Sequence, residues 1–351
     1  MIELAANCFH NRVMNKSVQK HGFTLIELLV VIAVISILMG LTIPAVQSVR
    51  RSAQSVSCKN NLKNIGLAVT NYQTATGTYP PSFEVPQGET VRGSWSIHAR
   101  IMPYMEEDNA FKNIDFDVDW HDQVDTGVPA YAVPSYTCPS EPNTLTRQQN
   151  GADFVHGTTY GFNMGSWLIH NPVNGTTGDG AFRVNQKTRP RDLRDGLSTT
   201  LCATDVKAYT PYIRNADVID PMLPTSTGHF QGVSAELKLG PSQSNNTGHT
   251  VWCDGRVHHT GITTVFTPNT RVPYTYDGQE YDIDYSSQQE GRDLDRATYA
   301  AVTARSYHTS GINAVNMDGS VRFISDSISL EIWRALGTGN NGEVIDQSLL
   351  D

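Results

Sequence analysis

Residues 21–46 read His-Gly-Phe-Thr-Leu-Ile-Glu-Leu-Leu-Val-Val-Ile-Ala-Val-Ile-Ser-Ile-Leu-Met-Gly-Leu-Thr-Ile-Pro-Ala-Val, and this stretch constrains the chain more than any other. Between Thr24 and Ile43 a single carboxylate, Glu27, interrupts an almost wholly apolar run. About twenty residues at ~1.5 Å each make a helix of ~30 Å, the thickness of a bilayer's hydrocarbon core. A buried core helix would be shorter and would carry a polar face. A cleaved secretory signal would have a shorter apolar region with its small-residue cleavage site after it. Here the candidate site, Gly22-Phe23, comes before the run.

Gly22-Phe23-Thr24-Leu25-Ile26-Glu27 follows a basic leader with Arg12, Lys16 and Lys20. This arrangement resembles the type IV prepilin signal cut by prepilin peptidase. The resemblance implies cleavage after Gly22, N-methylation of the new terminal Phe23, and for Glu27 the part of the acidic residue of pilins. A lone carboxylate in lipid is costly, less so near a helix end than at the centre. In a filament it would accept a charge-assisted hydrogen bond from the Phe23 amine of a neighbouring subunit. The plainer alternative is that Glu27 reaches back to the headgroups and does nothing more. The basic leader predicts a cytoplasmic start and an extracytoplasmic head. Met14 offers an alternative start to Met1.

The chain has 351 residues and a formal net charge of −9, which argues against a nucleic-acid partner, since that would need a basic face. About 270 residues follow the helix, enough for one large head or two small domains. Five cysteines occur, and Cys8 lies in the leader. The remaining Cys58, Cys138, Cys202 and Cys253 allow three pairings in an oxidising compartment. No Cys-x-x-Cys is present, so a structural zinc or thioredoxin-like pattern is lacking.

We expect three segments: a leader over residues 1–22, a helix over 23–75 and a β-rich head over 76–351. Pro44 should kink the helix near the membrane exit. Beyond it, Val46, Val49, Ala53 and Val56 form one apolar stripe, and Cys58, Leu62, Ile65, Val69 and Tyr72 a second, as for a helix laid on a sheet. Gly77 and Pro80-Pro81 end it.

Cys58-Lys-Asn-Asn-Leu-Lys-Asn-Ile-Gly-Leu-Ala-Val-Thr-Asn-Tyr is followed by Gly-Thr-Tyr-Pro-Pro-Ser. Further on come Trp95-Ser96-Ile97-His98, Ile101-Met102-Pro103-Tyr104-Met105-Glu106 and Pro134-Ser135-Tyr136-Thr137-Cys138-Pro139. Arg191-Asp192-Leu193-Arg194-Asp195-Gly196-Leu197-Ser198-Thr199-Thr200 precedes a late signature, His308 and, after nine residues, Asp318-Gly319. From about residue 20 to the end the chain resembles a large prepilin-like family of unknown function named for that signature. The resemblance implies a Cys58–Cys138 disulfide tying helix to head. One departure stands out: where such proteins commonly carry Gly-Glu after the Asp-Gly-Leu-Ser segment, this chain has Thr204-Asp205.

In the head, short β-branched and aromatic runs alternate with Gly, Asn and Pro turns. Asp254-Gly255 and Asp318-Gly319 each separate two candidate strands, a hairpin signal. Helical signal is confined mainly to Ser329–Leu336, where Leu330, Trp333, Ala335 and Leu336 would pack on the sheet. The expected fold is α+β and pilin-like, a long helix on an antiparallel sheet with β insertions.

His249, Asp254, His258, His259, His308 and Asp318 invite a metal or hydrolase reading. Both aspartates, however, sit in Asp-Gly turns, where aspartate is expected for backbone reasons, and His308 would hydrogen-bond across its hairpin. We assign no catalytic residue and no metal. Asp115-Phe-Asp-Val-Asp-Trp-His-Asp alternates carboxylates as calcium loops do, but lacks their glycine and late glutamate, and reads equally as an acidic strand face. Some pseudopilins resembling the N-terminal half use calcium, so calcium stays as a hypothesis. The expectation is a structural subunit, not an enzyme, of a pilus-like or secretion-like filament. Its partners would be prepilin peptidase, other pilin-like subunits and the inner membrane. The alternative is a tethered binding or enzymatic head, marked by a deep pocket around His249, His308 and acidic groups. A plain uncleaved membrane protein conflicts with Gly22-Phe23.

Overall fold

The computed structural model describes residues 23–143, 145–240 and 247–343. The chain divides between Arg50 and Arg51 into two compact units, although one helix, α1 (Leu25–Thr76), is continuous through that point.

In the first unit, α1 is long and apolar enough to cross a membrane. Its large apolar side chains from Leu25 to Val49 are 45–78% exposed among the described residues. Ser36 satisfies its hydroxyl on the Ile32 carbonyl at 2.7 Å, as a hydroxyl in an apolar helix must. The helix runs through Pro44 without a break in its span.

In the second unit, α1 is the spine of the head. Cys58, Leu62, Ile65, Gly66, Ala68 and Val69 are buried, with Tyr72 packed at their edge, as the second apolar stripe predicts. The first stripe is different. Val46 and Val49 belong to the first unit, and in the second Ala53 and Val56 are exposed, Val56 by 58%. Cys58 is the first fully buried residue of the helix, and Gln54 Nε2 donates to the Pro139 carbonyl at 2.9 Å. Gly77, at φ +82°, donates to the Gln73 carbonyl and stops the helix, as Gly at the position after the last turn does.

Among its described residues the head also holds four short α-helices, α2 (Ile97–Ile101), α3 (Asp108–Phe111), α4 (Val257–Thr260) and α5 (Leu330–Gly337). In chain order its strands begin with β1 (Thr146–Gln149), β2 (Ala152–His156), β3 (Tyr160–Asn163), β4 (Leu168–His170) and β5 (Leu201–Asp205). Then come β6 (Tyr212–Arg214), β7 (Glu236–Lys238), β8 (Gly261–Ile262), β9 (Pro273–Tyr276) and β10 (Gln279–Asp282). The last are β11 (Asp284–Ser286), β12 (Thr298–Ala301), β13 (Gly311–Asn316) and β14 (Val321–Ser325). One five-stranded sheet is ordered β14-β13-β5-β3-β8 and another β4-β12-β11-β6-β7. Both are antiparallel except for one parallel pair each, β3–β8 and β6–β11. Two hairpins, β1–β2 and β9–β10, stand apart and turn through Asn150-Gly151 and Asp277-Gly278, all four residues at positive φ.

The first sheet is covered on both faces. The buried half of α1 packs with Phe162, Ala203, Val315 and Met317, and α5 packs Trp333 and Leu336 on Leu201, Ile312, Ala314 and Ile324. Gly66 sets the approach of α1, since a Cβ there would lie 2.7 Å from Val315 Cγ2. The hairpin at Asp318-Gly319 forms as predicted, with Val315 opposite Val321. The one at Asp254-Gly255 does not. Gly255 lies so close to the chain at Ser82 that a Cβ would sit 2.2 Å from its carbonyl oxygen, and its amide donates to the Ser94 carbonyl. This segment makes a single bridge to Trp95 and then enters α4. The acidic stretch after Asp115 is not a strand either, but turns leading into a 3₁₀ helix, Trp120–Thr126.

Candidate functional site

Gly22 lies outside the described residues, and Phe23 is 71% exposed. Thr24 immediately precedes α1. Glu27 Oε2 accepts from the Thr24 amide at 2.9 Å and its hydroxyl at 2.8 Å, while Thr24 Oγ1 accepts from the Glu27 amide at 3.3 Å. This is a reciprocal capping box, typically worth ~1 kcal/mol to the helix start. The Thr-x-x-Glu spacing carries that signal within the processing motif itself, where a reading based on charge alone overlooks it. Among the described residues Glu27 Oε1 has no hydrogen-bond partner, so the carboxylate holds its own helix with one oxygen and keeps the other free.

The late signature assembles around the disulfide. Cys58 and Cys138 are joined, with Cα atoms 5.0 Å apart across a separation of 80 residues, and Cys202 and Cys253 are buried free thiols. Burial pushes both thiols up from the ordinary range, so neither is a ready thiolate. Asn61 adds a second tie, donating to the Thr137 carbonyl at 3.0 Å and the Tyr160 hydroxyl at 3.2 Å. Asp318 Oδ1 accepts from the Ser320 amide and hydroxyl, and Gly319, at φ +79°, closes the turn. Lys63 of α1 donates to the Gly319 carbonyl at 2.8 Å, so this turn is a docking point for the spine helix.

His308 does not bond across that hairpin. Its Nε2 lies 3.6 Å from Cys138 Sγ and 3.5 Å from Asp205 Oδ2. Asp205, one of the two residues that depart from the family pattern, stands where a role tied to the family's glutamate was left in doubt. Its Oδ2 accepts from the Asn313 amide at 2.7 Å and from Asn313 Nδ2 at 3.0 Å, extending the β5–β13 ladder through a side chain. Burial raises its carboxyl to about 7, against the Asn313 hydrogen bonds, and lowers His308, helped by the Lys59 ammonium.

The remaining candidates collect in the core. His249, His258 and His259 are at most 2% exposed, as is His98 of α2. His98 meets the rings of Tyr136 and Phe162 edge-on, with centroids 4.6 and 4.8 Å away. His258 stacks on Tyr212 and meets the His259 ring at 4.3 Å. His249 Nδ1 lies 3.2 Å from the His259 carbonyl. Burial lowers His98 and His249 to about 3 and holds His258 and His259 well below the ordinary imidazole range, with the guanidinium groups of Arg214 and Arg256 adding to it for the latter two. These imidazoles are neutral ring contacts at neutral pH. Asp254 is taken up by Arg256, donated to by its amide at 3.0 Å and Nη1 at 3.1 Å. His308 and Asp318 lie in the other cluster, so no pocket among those described joins His249 to His308.

Among the described residues, the trio of His, Cys, Asp or Glu with ligand atoms within 4.8 Å of one another is Cys58, Cys138 and His308. Its two sulfurs are bonded to each other, which leaves one imidazole as an available ligand. In the stretch considered for calcium, Asp115 and Asp119 carboxylates cap the amides of Asp117 and His121, and Asp122 pairs with Arg92. Those oxygens serve separate partners.

Residues 47–331 match the family described as "Protein of unknown function (DUF1559)". Residues 18–43 match the one described as "Prokaryotic N-terminal methylation motif". A curated relative, the ComG operon protein 3 homolog of Bacillus licheniformis, is 46% identical over 52 residues, 15% of this chain and 54% of the relative. The match therefore spans about half of that relative's length. No solved structure matches the chain.

Proposed function

Since the chain belongs to the family of unknown function DUF1559 and carries a prokaryotic N-terminal methylation motif, we propose that it is a structural subunit of a pilus-like or secretion-like filament. Prepilin peptidase cleaves it after Gly22 and Phe23 is methylated. It waits in the inner membrane with its leader cytoplasmic and its head outside, then joins other pilin-like subunits through α1. The observation that carries this reading is the apolar surface of Leu25–Val49, which is exposed among the described residues and needs either lipid or neighbouring helices. Its partial likeness to a ComG operon protein supports the same reading.

The free oxygen of Glu27 is the acceptor for the Phe23 amine of the next subunit. Two variants separate this role from the capping box. Glu27→Ala removes both, while Glu27→Gln keeps an acceptor for Thr24 and loses the charge. A charge-assisted hydrogen bond of ~1.5–3 kcal/mol corresponds to roughly ten- to a hundredfold per contact, so both variants should be cleaved normally and lose filament yield on that scale. Wild-type yield from Glu27→Gln, measured in sheared surface fractions, would reduce Glu27 to a helix cap.

A further inference from the structure

A chamber of about 460 Å³ opens in the head where segments far apart in sequence converge. In a chain of net charge −9, its walls include five arginines, Arg92, Arg147, Arg214, Arg256 and Arg292, and one carboxylate, Asp254. Three of the guanidinium groups are well occupied. Arg256 donates to Asp254 and to the carbonyls of Val91, Arg92 and Glu290. Arg214 makes a two-pronged pair with Glu236, at 2.8 and 3.0 Å, and Arg92 pairs with the half-exposed Asp122. Arg292 shares Glu236 at 3.6 Å.

Arg147 is different. It is 7% exposed on β1, lines the chamber, and among the described residues has neither an ion pair nor a side-chain hydrogen bond; its Nε is sealed from solvent with no partner. Beside it on the chamber wall, the Trp120 indole N–H is likewise buried and unpartnered. Both groups only donate. The terminal nitrogens of Arg147 are open to the chamber, and a guanidinium held there with no carboxylate beside it suits an acceptor that the chain does not supply. Arg92, Arg214, Arg256 and Arg292 each have a carboxylate partner, and Arg147 is the guanidinium of the five with no ion pair among the described residues. A wider groove of about 890 Å³ shares Arg92, His121, Arg147 and Phe154 with the chamber, and Asp125 and Asp153 flank it.

We propose that this chamber binds an oxyanion, the carboxylate, sulfate or phosphate group of a small acidic ligand, with Arg147 as its principal partner. The guanidinium fork suits such a group bidentately. The body of the ligand lies in the outer groove. The site belongs to the head and is independent of whether the chain assembles.

The test is isothermal titration of the full chain in detergent with inorganic phosphate, sulfate and glucuronate, each at millimolar concentration in constant chloride. Saturable binding of at least one is expected, and which one identifies the ligand's acidic group. Arg147→Lys keeps the charge but loses the fork, and should bind at least tenfold more weakly. Arg147→Met should not bind, and its melting temperature without anion should equal or exceed that of the parent, because an unpaired buried charge has been removed. A structural arginine would give the opposite shift. No saturable binding to any of the three, unchanged affinity in Arg147→Lys, or a marked loss of anion-free stability in Arg147→Met overturns the proposal.

Discussion

Acidification should unfold the head by about pH 3, with a slope set by histidines. His98 and His249 titrate at about 3 in the folded chain, and His258 and His259 are also held far below the ordinary 6.5. The unfolded chain takes up these protons near 6.5 and the folded chain does not. Stability therefore falls as pH drops below 6.5, by up to ~1.4 kcal/mol per pH unit for each histidine, until the folded rings titrate. Buried carboxyls act in the opposite sense. Asp205 and Glu290 are raised to about 7, so the folded chain binds their protons first and gains stability from pH 7 down to the unfolded values near 4, and nothing below. Asp284 and Glu141 are raised in the same sense, so the carboxyls largely offset the histidines above pH 4 and the loss falls below it, where the four histidines together cost up to ~5 kcal/mol per pH unit. A domain stability of ~5–15 kcal/mol does not survive that. All five tryptophans are buried in the head, so their fluorescence reports the transition. His98→Phe keeps a ring between Tyr136 and Phe162 and should flatten the acid limb by one proton. A head that stays folded below pH 3, or an unchanged limb in His98→Phe, would contradict the burial of these rings.

Replacing both Cys58 and Cys138 by serine should cost the head about 4–5 kcal/mol, the loop-entropy value for a closed loop of about 80 residues. The bridge fixes the spine helix to the loop that also receives Gln54 and Asn61, so its loss also frees the region where Asp205 and His308 meet. Urea unfolding followed by tryptophan fluorescence measures this as a lower midpoint at similar slope. A loss under ~1 kcal/mol would mean that the side-chain ties of Gln54 and Asn61 hold the loop unaided.

The parts of this molecule that were legible in sequence are those whose physics is local. The apolar run, the stripe from Cys58 to Tyr72, the stop at Gly77, the Asp318-Gly319 turn and the Ser329-capped α5 each depend on neighbours within a few residues. The disulfide was legible through family resemblance, whereas composition left three pairings open. Asp254-Gly255 misled because its glycine answers to a distant carbonyl, that of Ser82, and not to a turn. The stripe from Val46 to Val56 misled because periodicity shows an apolar face and not what covers it. The arginine chamber was invisible for a related reason. Arg92, Arg147, Arg214, Arg256 and Arg292 come from five separate segments, and each in isolation looks like a surface charge. Arg256, set between the apolar Trp252-Cys253 and Val257, carried the one hint that a guanidinium here is buried.

The proposal that this chain is a processed filament subunit is tested most directly by mass spectrometry of its mature amino terminus, in membranes and in material sheared from the cell surface. The account predicts a chain beginning at methylated Phe23 in the sheared fraction. An intact leader ahead of Gly22, confined to the membrane fraction, would contradict it and leave a tethered head with an anion-binding chamber.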